Sequence, residues 1–426
     1  MAENKSGIME TKALQPITAG EKQSWTSIMF IWMGGMISIP LLMVGAMMSQ
    51  FFTLGTTLLL TGAGFAVAIA MMCLTGSIAS DLGLPASVIA TKGFGEMGSR
   101  LLISILIAVV QIGWFGIQTA MCAAAFVVLM NFVGVSFPFW LAALVWGIVM
   151  FTTAVYGYKL LKILNYIGVP ALIAACLYAI FVAFALTPDV NIFEAVPPLA
   201  GQMSETAALS MMIGAFAMGT IVVCDIARYA KSRMDTVKSS FLGVMPATLF
   251  MMFAGGATAA ATGGTGDITM IFVHVGMPFF GMVVLIIATW TTNTTNAYTG
   301  GLAIMKIFNL KDDRRPWVTM ACGLLGTALA MVGIMEAFQG IIATLGGILP
   351  PVAGVLIADY WIVGKAKKEN FCNIPNVNWI GILSWAAGAT VGLFFSFFSP
   401  ALDGIVVAII LYTVLTKFFG ASTKTA

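Results

Sequence analysis

Twelve long apolar segments, separated by short polar ones, constrain the fold of this chain more than any other feature. A helix needs about 20 apolar residues to cross a hydrocarbon layer about 30 Å thick. Only 9% of the 426 residues are charged, against about a quarter in an ordinary soluble domain. The sequence therefore predicts an all-α integral membrane protein with 12 transmembrane helices. The predicted spans are 25–48, 54–79, 101–130, 137–156, 164–186, 206–224, 241–262, 277–305, 317–335, 337–362, 377–398 and 401–419.

The placement of charge supports this number of spans. With both termini on the same side, all 20 lysines and arginines fall in the segments of that side, and acids such as Asp189 and Glu194 fall on the other. Basic residues accumulate on the cytoplasmic side of membrane proteins. We therefore expect a multi-pass protein of the inner (plasma) membrane with cytoplasmic tails at 1–24 and 420–426.

The same pattern excludes most enzyme classes. The sequence has no soluble domain and no phosphate-binding loop, and its six cysteines show no metal-site spacing. Transport is the expected function, with a small molecule as the substrate, no cofactor, no nucleic acid and no obligate protein partner. A channel is the less favoured alternative, since channels need a continuous polar path through the membrane.

Two spans carry residues that interrupt helices. The first span contains Gly34, Gly35 and Pro40, and the sixth contains Gly214 and Gly219. Breaks in corresponding spans of two five-helix repeats mark the binding site of many transporters. Glycine also serves close helix packing, so that reading of the glycines stays open.

Polar residues inside two spans indicate what could bind. Gln111 and Trp114 lie at i and i+3, on one face of the third span. An amide beside an indole suits a flat heterocycle, although a glutamine can also bond a neighbouring helix. The eighth span holds four threonines and two asparagines between Thr291 and Asn296. Uncharged oxygens suit a weakly held Na⁺, although threonine can also bond its own helix.

Four motifs resemble the nucleobase:cation symporter-1 family, and most closely its bacterial cytosine permeases. They are Gln111–Gly116, Trp290–Asn293, Asp225–Tyr229 and Pro350–Tyr360, and the resemblance runs from Trp25 to Phe419. It implies a LeuT-type fold of two inverted repeats, 25–186 and 206–362, followed by two helices within 377–419. It also implies Na⁺-coupled uptake of a nucleobase or related ring by alternating access.

The resemblance also implies a substrate site. Gln111 and Trp114 match residues that bond and stack the base, and Phe216 matches the aromatic on the other ring face. Asn293 matches an amide near the substrate. Met218 stands where cytosine permeases have a serine. This difference argues against cytosine itself and leaves other pyrimidines, purines, hydantoins and thiazole-type rings open as substrates.

A Na⁺ site is implied in the same way. Thr291 and Thr292 match hydroxyl ligands, and Gly34, Ile37 and Ala288 match positions that offer backbone carbonyls. Because the family has proton-coupled members, H⁺ remains the alternative coupling ion.

Overall fold

The computed structural model describes residues 16–156, 158–186, 188, 191–263 and 267–419. The predicted C-terminal tail and most of the N-terminal tail lie outside these residues, as do Lys5, Lys12, Asp189 and Lys424.

The described residues form helices, and their sole β feature is an isolated bridge between Gln23 and Ala230. Each of the twelve predicted spans is helical. The main helices are α1 (Trp25–Met36), α2 (Ile39–Met48), α3 (Leu54–Leu82), α4 (Ala86–Phe94), α5 (Ser104–Phe132), α6 (Phe139–Tyr156), α7 (Tyr158–Leu186), α8 (Glu205–Ala215), α9 (Gly219–Ala227), α10 (Arg233–Ala261), α11 (Ile268–His274), α12 (Phe280–Phe308), α13 (Arg315–Met331), α14 (Phe338–Ile348), α15 (Pro350–Ile357), α16 (Trp379–Phe394) and α17 (Pro400–Phe419).

Within the described part of the chain, seven helical stretches are long and apolar enough to cross a membrane, and the bent pair α1 and α2 makes an eighth. The four remaining predicted spans correspond to α6, α12, α13 and α16. Of these, α6, α13 and α16 have 18 residues or fewer, and α12 contains the threonine and asparagine run. The all-helical membrane architecture is confirmed, while the number twelve depends on these shorter or more polar helices.

Hydroxyl side chains begin several of the spans. Ser24, Thr53 and Ser232 precede α1, α3 and α10, and each accepts a hydrogen bond from a backbone N–H in the first turn. Such caps satisfy N–H groups that have no partner inside the helix. They set where the polar connections end and the spans begin.

Two groups of helices pack side by side. In the first, α10 packs along α1, α2 and α3, and α3 also packs on α8 and α9. In the second, α5 and α12 lie against each other, and α13 packs on α5, α6 and α12. The broken spans α1/α2 and α8/α9 both belong to the first group, so their breaks face a shared space beside the second.

Small residues bring α2 and α10 into backbone contact. A Cβ added at Gly45 would collide with the backbone of Met252, and one at Gly255 would collide with the backbone of Leu42. Glycines at such positions let two membrane helices approach closely. Gly45 and Gly255 therefore serve the close packing of these two helices.

Lys22, Arg228 and Lys368 lie close together at one end of the helices, which we call the basic end. Lys22 donates to the carbonyls of Ser80 (3.2 Å) and Arg228 (2.8 Å), which lie near the C-termini of α3 and α9. Burial lowers the pKa of Lys22, and nearby Lys368 lowers it further, while Asp81 opposes this shift. Residues just before α1 are thereby tied to two helices of the first group.

Candidate functional site

The first span breaks between α1 and α2, whose axes differ by 56°. Ile37 and Ser38 have non-helical backbone angles, and Pro40 lies in the first turn of α2. Proline has no N–H and cannot continue the helix that precedes it. Among the described residues, no backbone N–H donates to the carbonyls of Gly34 or Ile37. These two oxygens are therefore available to a ligand.

The sixth span breaks between α8 and α9. Phe216 leaves the helical region with φ −125° and ψ 13°, and the chain resumes as α9 at Gly219. The phenyl ring of Phe216 folds back over Gly219, where any Cβ would collide with it. Glycine at this position is required for the ring to occupy its place.

A cavity of about 220 Å³ lies between the two broken spans and the α5 and α12 helices. It is smaller than the usual pocket of a drug-sized ligand, which runs from about 300 to 1,000 Å³. No charged side chain is among its lining residues, so it suits a small neutral molecule. The lining residues are Trp32, Gly35, Met36, Ser38, Pro40, Leu41, Val44, Val110, Gln111, Trp114, Gln118, Ala215, Phe216, Met218, Gly219, Val222, Thr292 and Asn296.

The α5 wall presents Gln111, Trp114 and Gln118 to the cavity. Their spacing of i, i+3 and i+7 places them on one helix face. The Trp114 ring meets Phe338 edge-on, with centroids 6.2 Å apart. Gln118 Oε1 is buried and has no hydrogen-bond partner among the described residues. The sequence analysis missed Gln118, although its spacing from Gln111 was the signal that could have found it.

The Phe216 ring forms the facing aromatic wall. One of its faces stacks on Phe65, with centroids 5.9 Å apart and planes 18° apart. Trp32 meets the same ring edge-on at 5.9 Å. In the described part of the chain, the buried Trp32 Nε1 atom has no hydrogen-bond partner. Gly219 lies against this ring as well. Trp32 and Phe65 were not predicted as site residues.

Met218 lines the cavity, as the sequence analysis expected of this position. A thioether is a weak acceptor and cannot donate, unlike the serine hydroxyl of cytosine permeases. The cavity therefore has one hydrogen-bond donor fewer than it would have with serine at position 218.

Asn293 does not line the cavity, in contrast to the expected contact with substrate. Its side chain is fully buried and donates to the carbonyl of Phe115 (3.0 Å) and to Thr119 Oγ1 (2.9 Å). Asn296, one turn later, does line the cavity and donates to Asn293 Oδ1 at 3.2 Å. The packing of α12 against α5 turns Asn293 away from the cavity and Asn296 toward it.

The predicted cation residues of α12 lie within one turn. Thr291 Oγ1 and Thr292 Oγ1 both donate to the carbonyl of Ala288, at 2.9 and 3.1 Å. With their hydrogens so directed, both hydroxyl oxygens keep lone pairs for a cation. Thr292 borders the same cavity as Gly35 and Ser38, the chain neighbours of Gly34 and Ile37. Uncharged oxygens are the ligand type that suits a hard, weakly held cation such as Na⁺.

Residues 16–418 match the family described as permease for cytosine/purines, uracil, thiamine, allantoin. The chain belongs to this family. Cytosine permease of Escherichia coli (strain K12) is 28% identical over 324 residues, which cover 74% of this chain and 73% of that protein. Hydantoin permease of Microbacterium maritypicum is 25% identical over 425 residues, covering 91% of this chain and 84% of that one.

Three solved structures share the fold of this chain. The inward-facing conformation of Mhp1 has a TM-score of 0.82 at 19% identity, with 97% of this chain and 96% of that chain covered. Mhp1, a nucleobase-cation-symport-1 family transporter, in a closed conformation with bromovinylhydantoin bound gives 0.78 at 20% identity and the same coverage. A Na⁺-coupled sialic acid symporter gives 0.54 at 13% identity, with 93% and 98% covered. The permease family and its LeuT-type fold make this chain a membrane transporter and not an enzyme.

Proposed function

We propose that the chain imports a neutral, planar, nucleobase-like heterocycle by Na⁺-coupled symport with alternating access. The observation that carries the proposal is the uncharged cavity between two broken spans, with indole and phenyl rings and three side-chain amides on its walls. Aromatic faces hold a flat ring, and amides bond its polar edge. Cytosine and hydantoin, after which two of the relatives are named, are rings of this kind.

The proposed substrate site consists of Gln111, Trp114, Phe216 and Met218, to which the cavity adds Gln118 and Asn296. The substrate ring lies between Trp114 and Phe216. The amides of α5 and α12 bond its edge. Asn293 holds Asn296 in place through a hydrogen bond and does not itself contact the substrate ring.

The proposed Na⁺ site joins the first span to α12. Carbonyls of Gly34 and Ile37 and the three α12 oxygens of Ala288, Thr291 and Thr292 are its ligands. Because the cavity borders both elements, one ion held there stabilises the arrangement that also binds substrate. The same proposal places the basic end and both termini in the cytoplasm, with the protein in the plasma membrane.

The test is uptake into proteoliposomes that contain the purified full chain. Radiolabelled cytosine, uracil, hypoxanthine, allantoin and hydantoin are supplied with an inward Na⁺ gradient, and with choline in place of Na⁺ at equal ionic strength. We expect at least one compound to accumulate above its external concentration only with the Na⁺ gradient. Accumulation that follows a pH gradient instead would make the coupling ion H⁺, and equilibration without accumulation would indicate a channel.

A further inference from the structure

The three amides on the cavity wall differ in how the protein holds them. Among the described residues, no hydrogen bond is made to the side-chain amide of Gln111 or Gln118, so each can turn either its oxygen or its nitrogen toward a ligand. Asn296 is held, because its Nδ2 donates to Asn293 Oδ1 at 3.2 Å. The orientation of Asn296 therefore depends on the orientation of Asn293.

A backbone carbonyl fixes the orientation of Asn293. Its Nδ2 donates to Phe115 O at 3.0 Å, and a carbonyl can only accept. Turning the amide over would bring its own oxygen against that carbonyl and leave two acceptors facing each other. Asn293 is fully buried, so no water is available to relieve such a contact.

The second N–H of Asn293 is engaged as well. Two acceptors lie within its reach, Thr119 Oγ1 at 2.9 Å and Met150 Sδ at 3.1 Å. The hydroxyl of Thr119 directs its own hydrogen to Met150 Sδ, 3.8 Å away, so its oxygen is left to accept. Residues of α5 and α6 thus hold Asn293 with both N–H groups turned away from Asn296.

These contacts define the polarity of one wall of the cavity. With Asn293 Oδ1 taking one N–H of the Asn296 amide, that amide keeps its own Oδ1 and its second N–H, and residue 296 lines the cavity. Because Nδ2 is held against Asn293, the position of Asn296 Oδ1 is fixed too. We propose that Asn293 is a positioning residue that fixes Asn296 Oδ1 as a hydrogen-bond acceptor in the α12 wall, so the transporter selects rings with an unsubstituted N–H at that edge. This inference rests on the proposed function and specifies its substrate class further.

The experiment compares a ring with its N-methyl derivatives. Equilibrium binding to the purified full chain first identifies the tightest ligand among cytosine, uracil, hypoxanthine, allantoin and hydantoin. Derivatives of that ligand methylated at each ring nitrogen in turn are then measured. We expect methylation at one nitrogen to weaken binding to the wild type by about tenfold or more, the scale of one lost buried hydrogen bond.

The variants separate positioning from contact. In Asn293→Leu the preference for the N–H form should fall to about threefold or less, because Asn296 is then free to turn over. Asn296→Ala should lose the preference as well. In the Asn296→Ala background, Asn293→Leu should change the preference no further, as expected of two residues that act through one contact. Thr294→Val is the matched control, since Thr294 is buried on the same helix and bonds only the Trp290 carbonyl of its own helix.

The outcomes are distinguishable. If Asn293→Leu keeps the wild-type preference, or if the wild type tolerates methylation at every ring nitrogen, the inference is overturned while the proposed function stands. Asn296 lies at the cavity surface, so Asn296→Ala provides the test if Asn293→Leu does not fold. An Asn296→Ala variant with the wild-type preference for the N–H form also overturns the inference. If the wild type binds none of the five rings, the proposed function fails and this inference fails with it.

Discussion

Lys92 and Asp359 form an ion pair in the protein interior, with Nζ and Oδ1 3.4 Å apart and the two residues only 8% and 5% exposed. The pair joins α4 to the end of the tenth span, and Tyr412 of α17 donates its hydroxyl to the same Asp359 oxygen at 2.9 Å. Three segments that are far apart in sequence are therefore held at one point of the basic end.

Removing one partner of this pair should destabilise the protein strongly. Lys92→Met leaves a buried carboxylate without its cation, which costs about 3 to 5 kcal/mol in comparable buried pairs. The midpoint of thermal unfolding in detergent measures the effect. Tyr412→Phe removes a single hydrogen bond to the same carboxylate and should cost less, about 1.5 to 3 kcal/mol. Equal midpoints for Lys92→Met and the wild type would show that the pair contributes nothing.

Ring recognition should depend on the α5 wall. Trp114→Ala removes a stacking face and Gln111→Ala removes an edge bond, so each should weaken ligand binding by about tenfold or more. Calorimetry on the purified protein with the tightest ligand of the panel measures the change. Trp140→Ala is the matched control, because Trp140 is 53% exposed and lies outside the cavity. Unchanged affinity in both cavity variants would exclude this face as the binding surface.

Coupling should depend on the two hydroxyls of α12. If Thr291 and Thr292 bind Na⁺, substrate and Na⁺ must strengthen each other's binding by the same factor. The double change to alanine should make substrate affinity independent of Na⁺, measured by titration with choline as the replacement ion. Thr294→Val should retain the Na⁺ dependence. A wild type that responds to pH and ignores Na⁺ would refute the assignment of these ligands.

The break in the sixth span should tolerate no side chain at Gly219. Gly219→Ala forces the Phe216 ring out of its place, so substrate affinity should fall by about tenfold or more, although Ala is the better helix former. Gly62→Ala, at a helical glycine with open space around it, should leave affinity unchanged. Binding assays on both variants provide the comparison, and retained affinity in Gly219→Ala would mean that the ring position is unimportant.

Membrane orientation can be measured at Cys372, the exposed cysteine among the described residues. Its neighbour Asn373 accepts a hydrogen bond from Thr91 Oγ1 at 2.7 Å, which places it at the basic end beside α4. A membrane-impermeant maleimide should label the protein in inside-out vesicles and not in right-side-out ones, with Cys372→Ser as the unlabelled control. The reverse pattern would place the termini outside.

The sequence predicted the features that depend on local chemistry. Gly35 and Pro40 indicated the first broken span, and Gly219 indicated the second. The spacing of Gln111 and Trp114 placed both on one helix face. These predictions rest on helix geometry and on the backbone properties of glycine and proline, which hold wherever the helix lies.

Features that depend on neighbouring helices were not predictable. Nothing in the run from Thr291 to Asn296 indicates which asparagine faces the cavity, because the rotation of α12 is set by its packing on α5. Phe65 lies on α3, far in sequence from the Phe216 ring on which it stacks, and no periodicity relates the two. The polarity of the α12 wall depends on a carbonyl at Phe115, and any residue type would supply the same oxygen.

The glycine contacts hold α2 and α10 in one relative position inside a transporter whose other parts must move. Backbones that touch at Gly45 and Gly255 cannot slide past each other without first separating. A pair of spin labels, one on each of these helices, should therefore report one constant distance whatever ligand is added. The distance between a second pair of labels, one on α10 and one on α5, would then measure how far the two helix groups move relative to each other in one transport cycle.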